Sequence, residues 1–164
     1  MRPRFVAALC ALLLLPLFAA AQAGDPARPV VALTGKVKQP LQFDLARLQA
    51  LPADEEQVSF QTDHGPQTGR YTGVLVWTLL AEAGGLADTD KSAALHHTIR
   101  VTAQDGYYVI LSTGEIAPDL GGKPALLAYR RGDDAPGADG LRLVLPGDKH
   151  GARNVRNVLT IEVE

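Results

Sequence analysis

The run Pro146-Gly147-Asp148-Lys149-His150-Gly151-Ala152-Arg153-Asn154-Val155-Arg156 decides how this chain is read. It packs four basic-type side chains, two glycines and one asparagine into eleven residues, directly after an apolar strand. Glycine lets backbone N–H groups approach a ligand, and arginine offers a planar, bidentate donor fork to phosphate or carboxylate. Two readings follow. One is an anion-binding loop that uses Lys149, His150, Arg153, Asn154 and Arg156. The other is a solvated turn whose arginines pair with the acidic loop Asp133 to Asp139, the commoner fate of a surface charge cluster.

Working outward, Leu141 to Leu145 upstream and Val155 to Val163 downstream have strand character. In a strand beginning at Val155, Val155 and Arg156 point to opposite faces. At the other end, Pro29 to Val37 alternates as a first strand, Pro40 breaks it, and Leu41-Gln42-Phe43 forms a short return. Asp44 is placed to cap a brief helix from Leu45 to Leu51, closed by Pro52. Gln57 to Gln61 is a strand leading into a polar turn, Thr62 to Gly69. The best helical pattern runs from Val74 to Ala83, with Val76, Leu79, Leu80 and Ala83 on one face and Gly84-Gly85 ending it. His97 to Ala103 and Tyr107 to Ser112 flank Asp105-Gly106, a dipeptide suited to a tight hairpin. Ser112-Thr113-Gly114-Glu115 resembles a capped short helix, and Ala125 to Arg130 is a further strand. With about seven or eight short strands and two or three short helices, the fold class is α+β, dominated by sheet.

The first residues carry a different signal. Arg2 and Arg4 form a basic n-region, Phe5 to Phe18 an apolar stretch, and Ala21-Gln22-Ala23 a small-x-small cleavage pattern. Residues 1–23 are therefore expected to be a signal peptide cut before Gly24, residues 24–29 a flexible leader, and residues 30–164 the domain. The expected location is periplasmic or secreted, with no membrane association after cleavage. Arg2 and Arg4 leave with the signal, so 16 basic residues become 14 against 18 acidic, a net charge of −4. A mildly acidic domain without a basic run gives no reason to expect nucleic acid as a partner. The single cysteine, Cys10, lies in the signal, so the mature chain has no disulfide, thiolate ligand or cysteine nucleophile.

Other chemistry finds less support. No Gly-x-Ser-x-Gly elbow frames Ser59, Ser92 or Ser112. Glu115 and Asp119 are close in sequence but suit cap and turn roles. Adjacent His96 and His97 would face opposite ways in a strand, which disfavours a shared metal. Asp63-His64 and Asp148-His150 are two polar pairs whose convergence only a fold can decide. Tyr71 and Trp77 flank the helix start, where burial accounts for them.

Taken in order, several segments resemble the molybdopterin-binding domain of sulfite-oxidase-type oxidoreductases. They are Leu33-Thr34-Gly35-Lys36-Val37-x-x-Pro40, Tyr71-Thr72-Gly73-Val74-Leu75-Val76-x-x-Leu79-Leu80, Asp105-Gly106-Tyr107, and Leu141-Arg142-Leu143-Val144-Leu145-Pro146-Gly147. Gly151-Ala152-Arg153-Asn154-Val155-Arg156 is similar to a family loop whose basic residues contact the pterin. The resemblance spans roughly Val30 to Val163 and implies that family's fold, with molybdopterin as the cofactor it would bring. It assigns Arg153, Arg156, His150, Lys149 and Asn154 to cofactor binding. One departure is decisive: catalytic members bind molybdenum through a cysteine before the helix, whereas Ser59 to His64 here reads Ser-Phe-Gln-Thr-Asp-His. The expectation is a non-catalytic module that binds a small anionic ligand, a pterin or a protein partner. The alternative is a molybdopterin-dependent oxidoreductase with a cysteine-free metal site. A third reading is a metal-binding protein using Asp63, His64 and His150. No catalytic residue or metal ligand is assigned.

Overall fold

Alternation of apolar and polar residues builds two sheets. The structure is a computed structural model that describes residues 30–164; the expected signal and leader lie outside the described residues. β1 (Val30–Gly35), β2 (Leu41–Asp44), β5 (Thr98–Ala103), β6 (Tyr108–Ser112) and β9 (Val158–Val163) form a five-stranded sheet in the order β2-β1-β9-β5-β6. β3 (Asp54–Thr62), β4 (Gly65–Leu75), β7 (Leu126–Arg131) and β8 (Arg142–Val144) form a four-stranded antiparallel sheet in that order. β1 pairs parallel with β9, and every other strand pairing is antiparallel. Short helices α1 (Leu45–Ala50), α2 (Val76–Glu82), α3 (Ala93–His96) and α4 (Thr113–Ile116) fill the connections. The architecture is α+β with sheet predominant. Among the described residues no helix is long and apolar enough to cross a membrane.

One buried cluster ties the sheets together. Val31 and Leu33 of β1, Ile99 and Val101 of β5 and Ile161 of β9 meet Val74, Leu127 and Leu143 of the second sheet. Burying such side chains contributes about 1.5–3 kcal/mol each before chain entropy is set against it. A smaller cluster on the other face of the second sheet joins Val58, Phe60, Tyr71, Leu126, Ala128 and Val144.

Several expected elements hold their places. β2 returns antiparallel onto β1, and the Asp44 carboxylate accepts from the Arg47 amide at 2.8 Å, capping α1. The β5–β6 hairpin turns at Gly106, whose φ of 86° suits glycine.

Four boundaries differ. The stretch Thr62 to Gly69 is not an open turn: Gly65 onward is strand, paired with β3 as far as Thr62↔Gly65. Its polar character reflects a solvated strand face. The helix expected from Val74 starts at Val76, because Val74 and Leu75 are held in β4 by pairing with Leu127 and Leu126. The last strand begins at Val158 rather than Val155, after Asn157 takes a left-handed φ of 50°. His97 is not strand but ends α3, a helix that was not expected. Ser112 sits at the start of α4 without a side-chain cap; the Thr113 hydroxyl instead reaches Ala94 and His97 carbonyls.

Candidate functional site

β8 delivers the chain into the turn Pro146-Gly147, where Gly147 adopts a φ of 89°. The loop then lies against the end of β3. The Gln61 amide donates to the Lys149 carbonyl at 2.9 Å, and Gln61 bridges His150 in parallel. Gly151–Arg153 forms a 3-10 turn. Gly151 is required there by contact: a Cβ would come within 2.8 Å of the Phe60 ring. From the opposite side the Tyr107 hydroxyl donates to the Ala152 carbonyl at 2.6 Å. The loop is thus pinned between β3 of one sheet and the turn entering β6 of the other.

This placement divides the five expected binding residues. Arg153 is spent within the protein. Its Nε and Nη2 donate to the two Asp148 carboxylate oxygens at 2.8 and 2.5 Å, and Nη1 reaches Glu115 at 3.4 Å. The Asp148 hydrogen bonds raise the guanidinium above its usual value, against the opposing effect of burial. Glu115 also takes the Lys123 ammonium at 3.1 Å, so it is an ion-pair hub rather than a cap. The expected pairing of these arginines with Asp133 to Asp139 does not occur; Asp133 pairs with Arg70. Arg156 is exposed and in no ion pair among the described residues. With Asn154, Gln104, Asp105 and Tyr107 it lines a cleft of about 450 Å³. The Asp105 carboxylate there already accepts from the Tyr107 amide at 3.0 Å.

His150 belongs to a second cleft, of about 530 Å³, on the other side of the 3-10 turn with Thr62 and Asp63. Lys149 is exposed and lines neither cleft. Asp63 and His150 therefore do converge, but His64 does not line that cleft. Among the described residues no three His, Cys, Asp or Glu side chains come together as metal ligands. His96 is exposed, while His97 is buried, with Nδ1 at 2.8 Å from the Glu164 carbonyl and Nε2 at 2.7 Å from Asp88. It clamps the fold rather than a ligand.

The hairpin tip supplies no thiolate. Ser59 Oγ accepts from Thr68, and Thr62 Oγ donates to the Gly65 carbonyl while accepting from the His64 amide. These hydroxyls are engaged within the hairpin. The residues present do not fit a molybdenum held by a protein sulfur.

One residue escaped the sequence reading as a candidate. Arg142 is 4% exposed, donates to the Tyr71 hydroxyl at 2.8 Å, and has an unpartnered Nε. No carboxylate lies in ion-pair range of it among the described residues. Burial is the main cause that lowers its guanidinium pKa below the ordinary value. It lines a cavity of only about 10 Å³ with Arg130, Arg131 and Tyr71, space for a single water. The available signal was a lone charge inside the apolar run Leu141 to Leu145.

No protein-family profile matches the chain, and no curated protein matches it. In fold it is similar to the sulfane dehydrogenase SoxCD from Paracoccus pantotrophus, with a TM-score of 0.66 at 19% identity. The match covers 82% of this chain and 38% of that chain, so the protein spans less than two fifths of its structural neighbour. At that identity the likeness is one of fold.

Proposed function

We propose that this chain is an exported, non-catalytic binding module on a sulfite-oxidase-type molybdopterin-binding scaffold, taking a small anion in the cleft beneath Asn154 and Arg156. The observation that carries this reading is the division of labour between the two loop arginines. Arg153 is neutralised by Asp148 and Glu115, whereas Arg156 lines an open polar cleft without a carboxylate partner. A guanidinium that shares its cleft with the Asn154 and Gln104 amides offers charge-assisted donors to an oxyanion, while the Asp105 carboxylate in the same lining is held by the Tyr107 amide. The order of family-like segments and the fold likeness to SoxCD support the scaffold. The missing thiolate argues against the family's usual metal chemistry.

The second reading is a molybdopterin-dependent oxidoreductase with a cysteine-free site. It draws on Asp63 and His150 sharing the cleft at the hairpin tip. Protein purified from a cofactor-competent host separates the two. Metal analysis and pterin fluorescence are expected to find no stoichiometric molybdenum; finding it would overturn the binding-module reading. Titration with sulfate and phosphate is expected to show saturable binding that Arg156→Ala weakens about tenfold or more. Unchanged binding in that variant makes the loop a solvated turn.

A further inference from the structure

Of the four histidines only His97 is buried, with 4% of its surface exposed. Both of its ring nitrogens meet oxygen: Nδ1 the Glu164 main-chain oxygen at 2.8 Å, and Nε2 the Asp88 carboxylate at 2.7 Å. A main-chain oxygen and a carboxylate both accept, so completing the two bonds takes two donors. Imidazole carries two N–H groups only when it is charged. In the neutral ring one nitrogen holds a lone pair, and in either tautomer that nitrogen faces an oxygen.

The two partners differ in their freedom to move. Glu164 is tied to the sheet: its amide donates to the Thr98 carbonyl at 2.9 Å, and Val163 before it pairs with Ile99. Its side chain is turned to Arg100 and Thr98. Asp88 stands in the loop between α2 and α3, with 59% of its side chain exposed, so water can take the place of the ring. That loop is fastened at its start, where the Ala87 amide donates to the Lys36 carbonyl at 2.9 Å beside the Val37↔Leu86 bridge. Further along, Asp90 is occupied by Ser92, while Lys91 and His96 are exposed. From α4 the Thr113 hydroxyl takes the His97 carbonyl and leaves the ring alone.

We propose that His97 and Asp88 form a proton-operated latch on this loop, closed while the imidazole is charged and open once it loses a proton. Of the two contacts, the one to Asp88 gives way, because the Glu164 oxygen is fixed in the sheet. Leu86, Asp88, Asp90 and Lys91 line one cleft of about 520 Å³ together with Trp77 and Leu80. The latch therefore governs access to Trp77. Its contribution to stability is present on the acid side of the ring's titration and is lost as pH rises through it.

Trp77 is the single tryptophan of the chain, so its emission reports on this cleft alone. In a pH titration, the His97 ring followed by NMR and the Trp77 emission are expected to change with one midpoint. The emission moves to longer wavelength as the loop departs. Over the same transition the Ala87 amide is expected to lose about tenfold in exchange protection, corrected for the intrinsic pH dependence of exchange. Asp88→Asn distinguishes a latch from a merely structural contact. A carboxamide can accept from a charged ring and donate to a neutral one, so this variant is expected to stay closed throughout, with flat Trp77 emission. A His97 titration that leaves Trp77 and Ala87 unmoved overturns the proposal, as does one reached only with global unfolding. A transition of wild-type size in Asp88→Asn overturns it equally.

Discussion

A buried guanidinium without a carboxylate is costly, because its charge leaves water and finds only dipoles. Arg142 is close to that state: one nitrogen meets the Tyr71 hydroxyl, the ring lies 5.6 Å from the guanidinium carbon, Nε has no partner, and Asp139 beside the same cavity offers its charge without an ion pair. Replacing both members with apolar groups of similar shape, Arg142→Met with Tyr71→Phe, is expected to stabilise the protein by about 1–3 kcal/mol. Chemical denaturation measures it, and a loss of stability would show that the guanidinium is compensated. The sequence made other residues legible. Asp44 as a cap and Gly106 in a tight turn both follow from local chemistry. The partner of Arg153 did not. Asp148 is five residues away and Glu115 thirty-eight, and only the meeting of α4 with the loop decides between them and Asp133 to Asp139.

Between elements, the contact that sets the candidate site is Phe60 of β3 against Gly151 of the loop. Phe60 is 9% exposed and belongs to the smaller apolar cluster, separate from the main core. Phe60→Ala is expected to cost about 3 kcal/mol and to unfasten the loop first. Hydrogen exchange checks this: the Gln61 and Asn154 amides, which bond to loop carbonyls, should lose protection at once, while the β5–β6 hairpin keeps its own. Uniform loss across both would show that the loop has no separate anchorage. Elements with strict alternation or a cap were recognisable in the chain, as β1, β2, α1 and the β5–β6 hairpin show. Boundaries set by pairing were not. Val74 and Leu75 carry helical periodicity, yet Leu126 and Leu127 claim them for β4, and the polar residues of Gly65 to Gly69 are strand because β3 lies alongside.

For the molecule as a whole, acid stability reports how the five-stranded sheet is fastened. Glu164 follows β9 and its carboxylate is held below the ordinary value, first by the Arg100 hydrogen bond. A lowered folded-state pKa stabilises above the unfolded value and is lost as pH falls through the folded one. Glu164→Gln should therefore melt below wild type near pH 7 and converge with it once the pH falls below the lowered carboxylate value. Melting curves over that range check it, and parallel curves would place acid sensitivity elsewhere. The sheet-rich α+β class was legible from composition and alternation, while the division into two sheets was not, since strand order depends on pairings far apart in sequence. The parallel pairing of β1 with β9 has a temporal meaning as well. The last described strand to leave the ribosome occupies the middle of its sheet, between one of the earliest and β5. During synthesis β1 and β5 have no neighbour to join them, so cooperative folding waits for residues 158–163.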